Sequence, residues 1–576
     1  MTHNKLLNQI TISGQEVKLC RTSTLAIATL VLAIATATAA HGQTYSVLYN
    51  FGAHYPNDPY NPVYTGLLAQ GRDGNLYSTT PNGGSGITPA GTVFKITPAG
   101  ALTVLYSFVG GYGTPESGLT LGTDGDFYGT AYSGGTFHAG MVFKITSSGA
   151  LTTLYNFGTC KYPCVDGIFP KAPPVEGRDG SFYGTTAYSN DGTNSGLVYR
   201  VTPNGTYTIL HRFVYTAAGY NPQAPLILGS DGNFYGTTYV GGKTLSSTCV
   251  AAALTCGTVF KMTPSGTVTF LHEFDKTDGA GPLAPVVQGT DGDFYGTTSG
   301  GGDANGDGVI FKLTPSGQYT VLHIFNGTTD GKRPDAGLVE ATDGNFYGTT
   351  TLGGSKNYGT LYKITPSGTF SVLYNFDNTT GAIPQVTLFQ HTNGDLYGEA
   401  QIGGKFSQGT IYSLDTELQP FVTLLPNWGA VGTSIGILGQ NFTSASAVSF
   451  NGASAKFTVH SDTYLTATVP GAAITGSVTV DTGAGPLKSK QTFMVLPSIT
   501  GFSPVKGDAG DSVVITGGGL TKASEVTFGG VRAIAFTVNS SSKITATVPT
   551  GVKTGRIVVT TPEGTATSAG TFTVVQ

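Results

Sequence analysis

Apolar and polar positions alternate in short bursts along most of this chain, and the bursts come in sets of four. One set reads Gly337-Leu338-Val339-Glu340 (a), Asn345 to Thr350 (b), Thr360-Leu361-Tyr362-Lys363-Ile364 (c) and Phe370 to Phe376 (d). Each piece is short and rich in β-branched and aromatic side chains, which predicts strands rather than helices. Asp343-Gly344 separates a from b, where glycine accepts the positive φ of a tight hairpin. Thr365-Pro366-Ser367-Gly368 separates c from d, with proline fixing φ and glycine closing the turn.

The set recurs. The phrase that begins at Asp343 returns from Asp73, Asp124, Asp179, Asp231, Asp291 and, altered, from Asn393, with starts 50 to 60 residues apart. A period of that length, built of strands and turn dipeptides, predicts a β-propeller with one four-stranded blade per repeat. The c strand occurs seven times, from Val93-Phe94-Lys95-Ile96 to Ile411-Tyr412-Ser413-Leu414. The d strand also occurs seven times, but its first copy, Ser46 to Phe51, precedes every Asp-Gly turn. The N-terminal strand is therefore expected to complete blade seven and close the ring. Antiparallel order puts the uniform a–b and c–d turns on one face and the variable b–c and d–a loops on the other.

Past the repeats the composition shifts to Val, Thr, Ser and Ala. Two phrases occur twice there: Val448-Ser449-Phe450-Asn451-Gly452 with Val526-Thr527-Phe528-Gly529-Gly530, and Ala467-Thr468-Val469-Pro470 with Ala546-Thr547-Val548-Pro549. Two tandem β-sandwiches of immunoglobulin type fit that duplication. The expected fold class is all-β: a seven-bladed propeller over 44–418, then sandwiches over 420–495 and 497–576.

Composition narrows the classes. With 85 Gly, 60 Tyr and Phe and only 11% charged residues, the chain suits short strands and tight turns, and its aromatic content excludes disorder. Lys5, Lys18 and Arg21, then an apolar run from Thr24 and the small residues Ala37 to Ala40, predict a secretory signal peptide over 1–40. A retained membrane anchor is the other reading; after cleavage no membrane span is expected. The formal charge of −4 carries no basic footprint for nucleic acid.

Four cysteines follow the leader. In an exported chain Cys160 with Cys164 and Cys249 with Cys256 read as two local disulfides, each within one loop, against a rival zinc site of four thiolates. His211, His272 and His323 occupy the d-strand slot that Tyr49, Tyr106, Tyr155 and Tyr374 fill elsewhere, so they read as packing positions on separate blades. The b-strand tyrosines, such as Tyr347, read as blade-packing residues too. Asp303, Asn305 and Asp307 spell the first half of a calcium loop, but no Glu stands at its twelfth position, so a polar loop competes with a calcium site. No other cofactor is indicated. Tyr55, Tyr60, Tyr112, Tyr162, Tyr215 and Tyr220 gather in the variable loops, with Phe169 and Asp58, and flat rings there suit sugar faces.

The repeated words Asp-Gly-Asn-Phe-Tyr-Gly-Thr-Thr, Gly-Thr-Val-Phe-Lys-Ile-Thr-Pro-Ser-Gly and Val-Leu-Tyr-Asn-Phe resemble the bacterial GloVer (Gloeo-Verruco) tandem repeat over residues 44–415. That resemblance implies an exported, surface-type protein and no particular chemistry. Phe502-Ser503-Pro504, Gly510 to Gly517 and the two duplicated phrases resemble the IPT/TIG immunoglobulin-like domain, which implies a spacer or binding module. The expected function is a secreted or cell-surface binding or adhesion protein without catalysis. Its propeller would meet a glycan or an envelope protein, and its sandwiches would form a stalk. A carbohydrate-active lyase or hydrolase working from the loop-rich face, and a structural spacer, are the alternatives.

Overall fold

The computed structural model describes residues 11–12, 15–16 and 43–575, apart from 55–56, 63–66, 87, 110–112, 160–165, 190–194, 215–218 and 243–255. Residues 11–12 and 15–16 pair as a two-stranded sheet in a unit of their own. The signal-peptide reading otherwise falls outside the described residues.

From residue 44 the chain forms seven four-stranded antiparallel sheets. Blade six is built of Val339–Glu340, Phe346–Thr350, Thr360–Ile364 and Phe370–Asn375, in that spatial order. Blade seven takes Phe389–Gln390, Leu396–Ala400 and Thr410–Asp415 from the end of the ring and Thr44–Asn50 from its beginning. The ring is thus closed by the N-terminal strand, and the Phe51 N–H continues the seam with a 3.0 Å bond to the Gly409 carbonyl. Each b–c ladder runs in register, as from Phe346↔Ile364 to Thr350↔Thr360. The c–d ladder then slips at one position, between Leu361 and Tyr362 in blade six, which adds twist to the outer strand.

The repeated phrase has a mechanical reading. The b strand Phe346–Thr350 is buried along its whole length. Its central glycine has no room for a Cβ, which at Gly348 would stand 2.5 Å from the Tyr362 hydroxyl oxygen of the next strand. The Tyr347 ring packs inward while its hydroxyl donates to Asp343 Oδ2 at 2.9 Å. That carboxylate also takes the Asn345 N–H at 3.1 Å and Lys363 Nζ at 3.0 Å. Burial alone would raise the Asp343 carboxyl, but the bonds from Asn345, Lys363 and Tyr347 hold it below its ordinary value. The same pairing recurs around the ring: Lys95, Lys144, Arg200, Lys261, Lys312 and Lys363 of the c strands each pair with their own turn aspartate.

Beyond the ring lie the two sandwiches. The first packs the sheet of Thr423–Leu425, Ser434–Leu438, Tyr464–Thr468 and Phe457–Ser461 on that of Ala453–Ser454, Ala447–Phe450, Val478–Thr482 and Gly485–Lys488. Their inner faces share one core around Ile437, Phe450, Leu465 and Phe493. The second repeats the plan around Ile515, Phe528, Ile544 and Phe572. Neither trails away from the ring as an extended stalk would. Thr463 Oγ1 donates to the Arg72 carbonyl at 2.8 Å and the Arg72 guanidinium lies 4.6 Å over the Tyr464 ring. Arg178 Nη1 donates to the Glu563 carbonyl of the second sandwich at 2.6 Å. Both sandwiches lie against the a–b turn face, and Lys490 of the first reaches the Glu340 carbonyl inside it.

Three outcomes follow from this architecture. Phe294→Ala removes a fully buried ring that stacks on Tyr235 of the preceding blade, and should lower the unfolding free energy by about 3–5 kcal/mol in a urea titration; an unmoved midpoint refutes the packing account. Deleting residues 44–50 should open the blade-seven edge and give a lower melting temperature or aggregation, whereas an unchanged melt would contradict the seam. The aspartates Asp231, Asp291 and Asp343 titrate below their ordinary value. Their stabilisation is therefore complete above about pH 4 and drains away as pH falls through their folded values. Urea midpoints should drop across that window, and drop less in Asp343→Asn.

Candidate functional site

Each d–a loop enters strand a through a proline: Pro62, Pro115, Pro170, Pro222, Pro282, Pro334 and Pro384. The ring of Pro170 sits against Gly140 of the preceding blade, Pro222 against Gly196 and Pro334 against Gly308, so these loops are pinned between neighbours. The residue before the proline is held at positive φ in several blades, at Asn61, Phe169, Asn221, Arg333 and Ile383. Positive φ strains a bulky side chain such as Phe169, and the repeated loop shape imposes it.

The position after the proline varies in chemistry while the backbone repeats. It holds Glu116, Lys171, Gln223, Leu283, Asp335 and Gln385 in successive blades. These residues stand where the d–a loops run into the a strands on the loop face, the mouth of the ring, and each is buried or half-buried there. Asp335 is 2% exposed and burial pushes it up to about 6, against the pull of Arg333 at 3.2 Å and of Thr351 Oγ1 at 3.0 Å.

Blades two to four make the richest part of this mouth. The Tyr132 and Phe169 rings stack at 4.8 Å and 19°, and Tyr188 meets Phe169 edge-on at 6.3 Å. Lys171 Nζ stands 5.8 Å from the Tyr132 centroid and donates to Gln223 Oε1 at 2.9 Å. Gln223 Nε2 donates to Asn221 Oδ1, and Asn221 Nδ2 to the Ala187 carbonyl. Burial raises the Glu116 carboxyl, opposed by the Lys171 charge, and lowers the Lys171 amine, opposed by Glu116. The arrangement is a partly exposed aromatic platform edged by one acid, one amine and an amide relay. Further out on the same face, Phe137, Tyr358 and Phe406 of the b–c loops are 48%, 40% and 38% exposed.

The sequence-based candidates fare unequally. Tyr60 and Tyr220 lie on the loop face, where each makes a β-bridge, to Asn82 and Val240, and packs against the blade core. The same bridge is made at Gly113, Ile168, Ala280, Lys332 and Ala382 in the other blades, so it needs no tyrosine. Tyr55, Tyr112, Tyr162 and Tyr215 lie outside the described residues, as do Cys160, Cys164 and Cys249. Cys256 is 1% exposed and disulfide-bonded. Asp58 is structural: it accepts the Tyr49 hydroxyl at 2.7 Å and the N–H groups of Gly52 and Ala53.

The three histidines are packing residues on separate blades. His272 and His323 each bond an aspartate of their own loop at 2.9 Å and stack on the next blade, while His211 meets Phe213 edge-on. In the calcium-like loop, Asp303 Oδ1 accepts the N–H groups of Asn305 and Gly306 at 2.9 Å. Burial raises the neighbouring Asp307 carboxyl. Among the described residues no group of three or more His, Cys, Asp or Glu converges as a metal site would require. No helix among them is long and apolar enough to cross a membrane.

Sequence reasoning passed over Tyr132, Tyr188, Glu116 and Lys171. Their signal was available in the seven loop prolines, because aligning the repeats on those prolines brings the variable mouth position into one column.

Two family models match the chain. The family model of the Gloeobacter/Verrucomicrobia repeat matches residues 33–168 and 244–459, and that of the IPT/TIG domain matches residues 497–574. No curated protein matches the chain. Among solved structures, a fungal alcohol oxidase of the AA5 family in complex with copper is 15% identical, over 76% of this chain and 98% of its own, with a TM-score of 0.43. A putative 6-phosphogluconolactonase from Bacteroides fragilis is 15% identical over 57% of this chain and 88% of its own, with a TM-score of 0.39. SGBP-B from a complex xyloglucan utilization locus in Bacteroides uniformis is 22% identical over 26% of this chain and 48% of its own, with a TM-score of 0.15. The chain thus spans about half the length of that last protein, and none of these likenesses bears on chemistry. With its repeats matched across more than half of its length, the chain belongs to the Gloeobacter/Verrucomicrobia repeat family.

Proposed function

We propose that this protein is an exported, non-catalytic binding protein whose ligand face is the loop side of the propeller, and that its ligand is a glycan. The observation that carries the reading is the platform of Tyr132, Phe169 and Tyr188 beside Glu116 and Lys171. Pyranose rings present apolar C–H faces ringed by hydroxyls, so they fit a flat aromatic surface edged by groups that both donate and accept hydrogen bonds. Lys171 is already positioned by Gln223, and the pinned loops hold the rings before any ligand arrives, which lowers the ordering cost of binding. The N-terminal pattern of basic, apolar and small residues supports export.

A screen of neutral and acidic polysaccharides by affinity electrophoresis tests the reading. One class of glycan should retard the protein. Tyr132→Ala and Lys171→Met should each weaken that retardation by about tenfold, a loss of roughly 1.4 kcal/mol. Ser367→Ala, on the opposite turn face, should leave it unchanged. Retention of no glycan, or undiminished retention in the Tyr132 and Lys171 variants with intact melting curves, would overturn the assignment.

A further inference from the structure

At the other end of the channel the sandwiches meet the ring, and they leave a cavity of about 750 Å3 between them. Its propeller walls come largely from the a strands of blades four to six and the residues leading into them, with Ile227, Pro285, Val287 and Val339, joined by Leu67 of blade one and Leu388 of blade seven, and Met494 of the first sandwich lines it too. A space of that size with mostly aliphatic walls is typical of small-molecule sites.

The charges around it are unevenly matched. Of the lining carboxylates, Asp231 pairs with Lys261 at 2.7 Å and Glu563 with Lys522 at 3.4 Å. Glu340 Oε1 accepts both the N–H and the hydroxyl of Thr290, at 3.0 and 2.8 Å. The lining cation Lys490 gives a hydrogen bond to the Glu340 backbone carbonyl, and among the described residues no carboxylate stands within ion-pair distance of it. An ammonium carries three donors, and in an apolar setting it is stabilised by a counter-charge. Burial pushes Lys490 down to about 8, with Glu340 pulling it back up, so the amine is still protonated at pH 7.

We propose that this cavity binds a small organic anion: a carboxylate that meets Lys490, carried on an apolar body that fills the space between Ile227, Val287, Val339 and Met494. The site lies on the face opposite the aromatic platform and does not rest on the glycan reading.

Calorimetric titration of the full chain with sodium decanoate, 1-decanol and decyltrimethylammonium chloride tests it. Decanoate should bind, and the alcohol and the ammonium should bind at least about tenfold more weakly. Lys490→Arg should keep the preference for decanoate, and Lys490→Met should abolish it. Met494→Trp, which fills the cavity, should weaken decanoate whatever the charge. No heat with decanoate up to about 1 mM, equal binding of the alcohol, or undiminished binding by Lys490→Met would each overturn the proposal. Because the comparison of the three probes is made on the unaltered protein, it stands even if Lys490→Met fails to fold.

Discussion

The stack of a b-strand tyrosine on the b-strand phenylalanine of the next blade is the contact on which the ring depends. Five such pairs, from Tyr77 on Phe127 to Tyr295 on Phe346, hold centroids 3.6 to 4.1 Å apart. Each tyrosine serves two directions at once. Its ring fixes the spacing to the following blade, while its hydroxyl is held by the turn aspartate of its own blade. That aspartate is in turn held by the c-strand cation. Aspartate, tyrosine and a basic residue therefore act as one unit in blades one to six, which is why the phrase recurs as a unit while the loops between copies vary in length.

Blade seven shows what happens when the unit is given up. Asn393 and Ser413 replace the aspartate and the cation together, and the turn now bonds Tyr397 through Asn393 Nδ2 at 3.0 Å. The phenylalanine partners are lost at both junctions of this blade, where Leu396 shares a core cluster with Tyr347 and Leu76 shares one with Tyr397. Other contacts hold the ends together. Tyr45 of the closing strand stacks on Tyr374 at 3.9 Å and on Tyr412 at 5.1 Å. Gln70 bonds Thr392 across the seam at 2.7 Å, and Gln440 of the first sandwich bonds the same hydroxyl at 2.9 Å. Where other blades place a buried threonine, as at Thr349, this one places Glu399, which burial pushes up to about 8 and which therefore stands protonated at neutral pH.

Such details mark the boundary of what the amino-acid sequence reveals. Blade number, ring closure, the class of the tail modules and the packing role of His272 or Tyr347 were legible, because each depends on local periodicity or on repetition. The c-strand lysines were not, since alternation alone says that Lys363 points away from the core and is silent on the aspartate one strand over. Tyr60 and Tyr220 were chosen for being aromatic and in loops, a criterion that does not separate rings packed under a loop from rings presented by it. Tyr132 and Tyr188 sit just past a b strand, where the repeat disguises them as strand continuation. The platform forms only when adjacent blades bring Tyr132 and Phe169 together, a contact between residues far apart in the chain.

The turn face carries the clearest case of information hidden in a repeat. Its Asp-Gly turns are uniform, yet two of them are preceded by arginine where the others have Thr123, Ser230, Thr290, Thr342 or Thr392. Those two, Arg72 and Arg178, bring guanidinium groups to the sandwiches, in addition to the hydroxyl of Thr392 that Gln440 bonds, and each arginine also reaches the carbonyl of the next blade's turn, at Thr123 and Ser230. A substitution that leaves the hairpin intact thus converts a turn into a docking point. Because the tail occupies this face and Lys490, Gln491 and Thr492 line the channel's turn end, the constraint on the turns is mutual fit. The loops opposite are held at their bases by proline and glycine and carry no such burden. Their tips can therefore vary in length and chemistry without disturbing either the ring or the docked tail.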